Sequence, residues 1–156
     1  MLVVDVYKEK KKEEFRLIVL PTGKNKMGLT QIKDYGIITY LNKDNVEKIG
    51  EFVLWALEQS DNEVIESKSI VEFSKKYFNL NSNRKIATNY NLVGLKFLDE
   101  KSIIRLQNKD GYGFSPFEDE NGNNIEFEFK ERPTALELGL KVMEMFEYKE
   151  KYDGLE

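Results

Sequence analysis

Residues 44–60 read DNVEKIGEFVLWALEQS, and residues 133–149 read PTALELGLKVMEMFEYK. Both stretches place apolar or small side chains at helical spacing along one face. A capping residue with a glutamate three positions later marks each start, Asp44 with Glu47 and Thr134 with Glu137. The pattern predicts one helix over about 45–60 and a final helix that follows Pro133 and Thr134.

The two stretches align with each other without a gap, at a constant offset of 89 residues that brings Gly50 onto Gly139. Glycine inside a helix costs roughly 1 kcal/mol relative to alanine, so close packing is the expected reason for both glycines. Upstream, Ile18-Val19 and Gly28-Leu29-Thr30 align with Ile103-Ile104 and Gly113-Phe114-Ser115 at an offset of 85. We therefore predict that residues 1–156 form a single pseudo-symmetric α+β domain. Its two strand-meander-plus-helix halves, approximately 15–60 and 100–150, form an internal repeat around a middle helix.

Short apolar runs separated by turn residues predict antiparallel strands beside these helices. The charged run 8–14 is expected to be a solvated hairpin tip, and Pro21-Thr22-Gly23 is expected to end the second strand. A middle helix is predicted over 69–78, with Ser69 and Glu72 as its capping pair, and the polar stretch 79–91 is predicted to be a loop. The predicted strands are 2–7, 15–20, 27–32, 37–41, 90–98, 102–107, 112–117 and a last strand that buries Ile125, Phe127 and Phe129.

Cysteine and histidine are both absent from the sequence. Their absence excludes disulfides, thiolate zinc sites and cysteine nucleophiles, and it removes the commonest general acid/base and neutral metal ligand. The formal charge of −4 argues against binding nucleic acid through a basic field and is compatible with a basic protein partner. The apolar run 1–6 meets charges too early for a signal peptide, and no window reaches membrane-spanning length. We expect a cytoplasmic binding protein without catalytic activity or cofactor, and without a membrane or direct nucleic-acid partner.

The strongest acidic cluster is Glu118-Asp119-Glu120, directly before the Asn121-Gly122 turn, with Asp110 in the neighbouring loop. Carboxylates and turn carbonyls of this kind could hold Ca²⁺ or Mg²⁺. The spacing does not match a calcium loop, because no alternation of Asp or Asn leads to a glycine and a closing glutamate. Charge runs are usually exposed, so a solvated loop is the simpler interpretation. Since these carboxylates have no available role in the core, we predict that the partner-binding residues are Glu118, Asp119, Glu120, Asn121 and Asp110.

Two other groups of residues have structural interpretations. A small basic, aromatic patch for single-stranded nucleic acid could comprise Lys24, Lys26, Lys33, Tyr35 and Tyr40. No RNP-type aromatic motif accompanies it, so a hairpin edge protected by lysines is preferred. Trp55 lies off the main stripe of the first helix and needs a cover, for which the middle helix is the expected element.

The segment 49–60, IGEFVLWALEQS, and its counterpart 138–148, LGLKVMEMFEY, resemble immunity proteins of bacterial contact-dependent growth inhibition systems. The middle segment 73–80 that leads into 90–94 is similar too, so the likeness spans nearly the whole chain. The resemblance implies a cytoplasmic antidote that binds the C-terminal toxin domain delivered by a neighbouring cell, commonly a nuclease, and blocks its active site. It carries over no catalytic residues. Two other functions stay open on the residues alone: a metal-dependent hydrolase using Glu118, Asp119 and Asp110, and a generic protein-interaction module.

Overall fold

The computed structural model describes residues 1–10, 12–66, 70–111 and 113–154. Four strands and a helix are followed by a middle segment, four more strands and a last helix, which confirms the α+β class and a single domain. The elements are β1 (Leu2–Glu9), β2 (Phe15–Lys24), β3 (Thr30–Ile32), β4 (Ile37–Leu41), α1 (Val46–Gln59), α2 (Ile70–Phe73), a π-helical turn (Ser74–Phe78), α3 (Asn83–Asn89), β5 (Tyr90–Leu98), β6 (Lys101–Asp110), β7 (Gly113–Pro116), β8 (Glu126–Phe129) and α4 (Ala135–Tyr152).

Antiparallel ladders join the strands into one sheet of order β3-β2-β1-β5-β6-β7, in which β4 also pairs with β2 and β8 also pairs with β6. The two central strands are β1 and β5, with Leu2 opposite Phe97 and Glu9 opposite Tyr90. Each half of the chain therefore makes the same set of pairings. Its first strand pairs with its second, and its second strand pairs with its third and fourth.

The helices α1 and α4 pack on one face of the sheet, called here the first face, against side chains that include Val4 and Val6. They touch each other through their glycines. A Cβ on Gly50 would lie 1.6 Å from the carbonyl oxygen of Ala135, and a Cβ on Gly139 would lie 1.7 Å from the carbonyl oxygen of Val46. Each glycine thus admits the first turn of the other helix, so close packing explains both positions.

The two helices begin differently. At α4 the predicted capping box forms, since Thr134 and Glu137 exchange hydrogen bonds between side chain and backbone. The predicted Asp44 cap of α1 is wrong. Asn45 is the N-cap residue, and its side-chain oxygen accepts the backbone N–H of Asn42 instead of a helix N–H.

The middle segment packs on the opposite, second face of the sheet, where it buries Tyr7, Ile18 and Leu20. The predicted cap Ser69 lies outside the described residues, and the π-helical turn ends at Asn79 in the left-handed conformation, with φ 55°. The predicted loop over 79–91 is wrong in part. Ser82 caps α3 by accepting the backbone N–H of Lys85, and Ile86 buries its side chain in the second core although its neighbours are polar.

The second strand is longer than predicted, because β2 runs through Pro21 to Lys24. Pro21 cannot donate to a ladder, but its carbonyl accepts the backbone N–H of Lys33 at 3.0 Å. The Thr22 hydroxyl donates to the Val3 carbonyl at 2.7 Å. The polar groups of Pro21 and Thr22 thus find hydrogen-bond partners in other segments of the chain. Strand β2 therefore continues past Pro21 instead of ending there.

Three further details differ from the sequence prediction or fall outside the described residues. Lys8, predicted in a solvated tip, is a buried residue of β1 whose Nζ pairs with Glu150, while Lys11 of the same run is not among the described residues. Phe127, predicted to be buried, is 39% exposed. Tyr112, the predicted first residue of the seventh strand, also lies outside the described residues, and β7 begins at Gly113.

The internal repeat of 15–60 and 100–150 stays a prediction. The equal pairings of the two halves and the reciprocal contacts of Gly50 and Gly139 are the arrangement that such a repeat would produce.

Candidate functional site

The acidic loop 118–124 projects between two chain segments that are anchored in the sheet. The Phe117 N–H donates to the Leu106 carbonyl, and the Ile125 N–H donates to the Phe117 carbonyl, both at 2.9 Å. A bridge between Glu118 and Asn124 closes the base of the loop. The loop is therefore a fixed projection, and Glu118 and Glu120 are exposed on it.

Asp119 differs from its two neighbours because its side chain shapes the turn. Its Oδ1 accepts the backbone N–H groups of Asn121 at 2.9 Å and Asn123 at 3.0 Å. Its own N–H donates to the Asn123 carbonyl at 2.8 Å. An aspartate whose side chain accepts hydrogen bonds from backbone N–H groups a few residues further on stabilises the turn. Glu118 and Glu120 make no such bonds to the turn, so they present their charges outward.

Two tyrosines of α4 that no sequence motif marks as functional lie beside this loop. Tyr148 and Tyr152 pack edge-on against the buried ring of Phe117, with centroids 6.1 and 4.8 Å away, yet they remain 44% and 64% exposed. Their spacing of four residues on the last turns of a helix is the signal that could have found them. Tyrosine is enriched at protein interfaces, and these rings together with Glu118 and Glu120 form what we call the acidic-aromatic surface.

Asp110 does not join this surface. It lies at the tip of the β6–β7 hairpin, opposite Gly113, four residues along β6 from the Leu106 that anchors the loop. Four residues of strand span roughly 13 Å. In the described parts of the chain, no group of three or more carboxylates is arranged to hold a metal ion.

In the basic, aromatic patch, the charge of Lys33 is already paired within the chain. The Lys33 ammonium pairs with Asp61 at 2.6 Å and also donates to the Gln59 carbonyl. The hydrogen bond from Lys33 is the main reason that the pKa of Asp61 is lowered.

Tyr35 packs edge-on against Trp55 with ring centroids 6.3 Å apart, whereas the middle helix packs into the second core. The expectation that the middle helix covers Trp55 is therefore corrected: Tyr35 contributes the ring that packs against it.

Asp5 is a second position that sequence reasoning missed. It lies in the middle of β1 on the second face, between Leu20 of β2 and Gly94 of β5. Val4 and Val6 beside it are fully buried, whereas Asp5 is partly exposed. Burial raises the pKa of Asp5 from 3.8 to about 6. Across the described residues its carboxylate has neither an ion pair nor a hydrogen bond. One acidic residue in an apolar strand carries no sequence signal that distinguishes it from an ordinary solvent-facing position.

Replacing Asp5 with asparagine is expected to stabilise the protein above pH 6. Because the folded pKa is about 6 against 3.8 for a free side chain, the folded form holds a proton that the unfolded form has released between those values. Stability should therefore fall as pH rises from 4 to 6, and the D5N variant should gain roughly 1–3 kcal/mol at pH 7.5. Urea denaturation at four pH values from 4.5 to 7.5, with the exposed D110N as control, measures this. A wild-type stability that rises across this window in step with D5N would contradict it.

Comparison with known proteins supports the fold. No protein-family model matches the chain, and no curated protein matches it in sequence. A solved structure with the same fold is the Protein of Unknown Function NMB0488 from Neisseria meningitidis, with a TM-score of 0.64 and 13% identity over 96% of this chain and 95% of that chain. Another is a chain of the CdiA-CT/CdiI toxin and immunity complex from Yersinia pseudotuberculosis, with a TM-score of 0.60 and 10% identity over 91% of this chain and 93% of that chain. Among the described residues, no helix is long and apolar enough to cross a membrane.

Proposed function

We propose that this chain is a cytoplasmic immunity protein of a contact-dependent growth inhibition system. It binds the C-terminal nuclease domain of the cognate toxin and neutralises it, without catalysing a reaction itself. The observation that carries the proposal is the fold shared with a chain of a CdiA-CT/CdiI toxin and immunity complex, over more than nine-tenths of both chains.

The surface chemistry supports a basic protein as the partner. A nuclease holds phosphates in a basic cleft, which an acidic protein reaches quickly through electrostatic steering. The chain carries a formal charge of −4, and Glu118 and Glu120 stand outward on a fixed loop beside Tyr148 and Tyr152. Carboxylates would replace displaced phosphates, while the tyrosine rings would provide apolar contact area.

The direct test is whether this chain protects a growing cell from the toxin domain. The gene encoding this chain should lie beside a gene for a large secreted toxin, and the toxin's C-terminal domain should arrest growth when expressed alone. Co-expression of this chain should restore growth, and the two proteins should elute as one complex. Growth arrest that persists despite soluble expression of the chain would overturn the proposal. Metal-dependent phosphoester hydrolysis by the chain, abolished in D119A, would favour the hydrolase instead.

Neutralising the acidic loop should weaken binding to this toxin domain while preserving the fold. The variant E118Q/D119N/E120Q keeps the side-chain oxygen that holds the turn at residue 119 and removes three charges. Losing a desolvated charge pair costs about 2–5 kcal/mol, so affinity should fall by more than tenfold and depend less on salt. Titration calorimetry at two salt concentrations measures both effects.

The matched control removes three exposed carboxylates elsewhere, in E13Q/E14Q/E58Q. It changes the net charge equally, so it should retain nearly the wild-type affinity. If both triple variants bind alike, the partner contacts another surface, and the hairpin 24–35 is the next one to examine.

A further inference from the structure

A row of side-chain positions crosses the second face of the sheet at its centre. The register places Leu20 of β2 beside Asp5 of β1, Asp5 beside Gly94 of β5, Gly94 beside Arg105 of β6, and Arg105 beside Glu126 of β8. Side chains that stand opposite each other on paired strands lie on the same face. The row therefore holds two acids and one guanidinium, with a glycine in the middle.

Gly94 leaves a hollow in this row. A Cβ at this position would lie 3.8 Å from Oδ1 of Asp5 and 3.6 Å from Nε2 of Gln107, at ordinary contact distance. A side chain here would therefore stand directly against the carboxylate. The partial exposure of Asp5, Gly94 and Gln107 shows that solvent reaches the hollow, although Leu20 next to it is fully buried.

Arg105 does not neutralise Asp5. Its Nε donates a hydrogen bond to Oε2 of Glu126 at 2.8 Å, and Glu126 lies on β8, on the side of β6 away from Gly94. Two strand spacings, roughly 10 Å, separate the Asp5 and Arg105 positions. The other charged or titratable side chains of the central strands on this face near Asp5 are Tyr7 on β1 and Lys96 on β5. Within the residues that the structure describes, none of these groups forms an ion pair or hydrogen bond with Asp5.

A partly buried carboxylate without a cation is unfavourable for the free protein, since burying a charge is costly unless it is paired. Among the described residues the Asp5 carboxylate therefore has no stabilising partner, and the missing side chain of Gly94 leaves room beside it for one. A cation placed in the hollow would pair with Asp5 at one end of the row, as Arg105 already pairs with Glu126 at the other end.

We propose that the hollow over Gly94 receives the cationic end of an arginine or lysine side chain from a protein partner, with Asp5 as its counter-ion and Gln107 as a second polar contact. The identity of that partner as a toxin domain rests on the proposed function, but the cation site itself does not. The site lies on the sheet face and is separate in sequence from the acidic-aromatic surface.

The test uses N-acetyl-arginine amide as the probe and the citrulline analogue, which has the same shape without the charge, as its control. We expect the arginine probe to shift the backbone amide signals of Asp5, Gly94 and Gln107 in NMR titrations of the full chain. It should also lower the pKa of the Asp5 carboxyl, followed by its ¹³C resonance. The variants D5N and G94V should each weaken the probe by about tenfold or more.

Equal shifts from both probes, shifts confined to residues 118–124, or shifts unchanged in D5N would each overturn the proposal. G94V fills the hollow but keeps the charged carboxylate of Asp5, so it separates loss of space from loss of charge. A toxin-domain titration distinguishes this inference from the proposed function. If the arginine probe binds at Asp5 but no toxin domain binds, only the proposed function fails. If a toxin domain binds wild type and D5N alike and the probe shifts nothing at Asp5, only this inference fails.

Discussion

Replacing Gly50 by alanine is expected to lower the free energy of unfolding by roughly 3 kcal/mol, a severe loss for a domain of this size. Alanine is the better helix former by roughly 1 kcal/mol, so propensity alone predicts the opposite sign. The packing term decides the outcome, because the new Cβ would lie 1.6 Å from the carbonyl oxygen of Ala135. That oxygen belongs to backbone, so α1 and α4 must separate to admit a methyl group.

The reciprocal contact makes the prediction sharper. G139A should cost a similar amount, because its Cβ would meet the Val46 carbonyl at 1.7 Å. The double variant should cost less than the sum, since one separation of the helices relieves both clashes. G113A is the matched control, with its nearest neighbouring atom at 3.6 Å. Urea denaturation gives all four values, and a G50A variant as stable as G113A would show that the helices are further apart.

Removing the Lys8 ammonium should have a comparably large effect. Its Nζ lies 2.5 Å from Oε1 of Glu150, where the two side chains are only 4% and 17% exposed. It also lies over the ring of Phe15, 4.6 Å from the centroid. In K8A the Glu150 carboxylate would stay in place without its cation, and breaking a buried pair from one side costs about 3–5 kcal/mol.

The chain contains an exposed pair for comparison. Lys101 and Glu128 lie 3.1 Å apart with side chains 53% and 40% exposed, so K101A should cost less than about 1 kcal/mol. The double variant K8M/E150L should recover most of the stability, because apolar replacement of both partners removes the unpaired charge. Thermal or urea unfolding that finds K8A no costlier than K101A would contradict a buried pair.

The parts of the fold that local pattern determines could be predicted from the sequence. The capping box at Thr134 and the stripes of α1 and α4 are local, and β5 occupies 90–98 as predicted, since alternation and turn residues mark it. The elements that were predicted wrongly depend on residues that are distant along the chain. Pro21 stays within a strand because Lys33 donates to its carbonyl, and α3 forms in a polar stretch because Ile86 is buried in the second core.

The candidate site likewise has one part that the sequence predicts and another part that depends on the folded structure. The acidic run 118–120 is visible in the sequence, but the role of Asp119 in the turn depends on the positions of Asn121 and Asn123 after folding. Tyr148 comes beside the loop only because α4 packs over Phe117. Asp5 acquires its significance from Gly94, which lies far away along the chain and becomes its neighbour only in the sheet.

The central ladder between β1 and β5 determines when the sheet can form. Leu2 and Phe97 are 95 positions apart in the sequence, yet the two are paired. A ribosome adds roughly 5–20 residues per second, so β1 waits about 5 seconds or more with one edge open before β5 exists to cover it. Contacts this distant along the chain slow folding far more than they change stability. Closure of the β1–β5 ladder is therefore the expected slow step, and until it closes the unpaired edge of β1 is open to pairing with other chains.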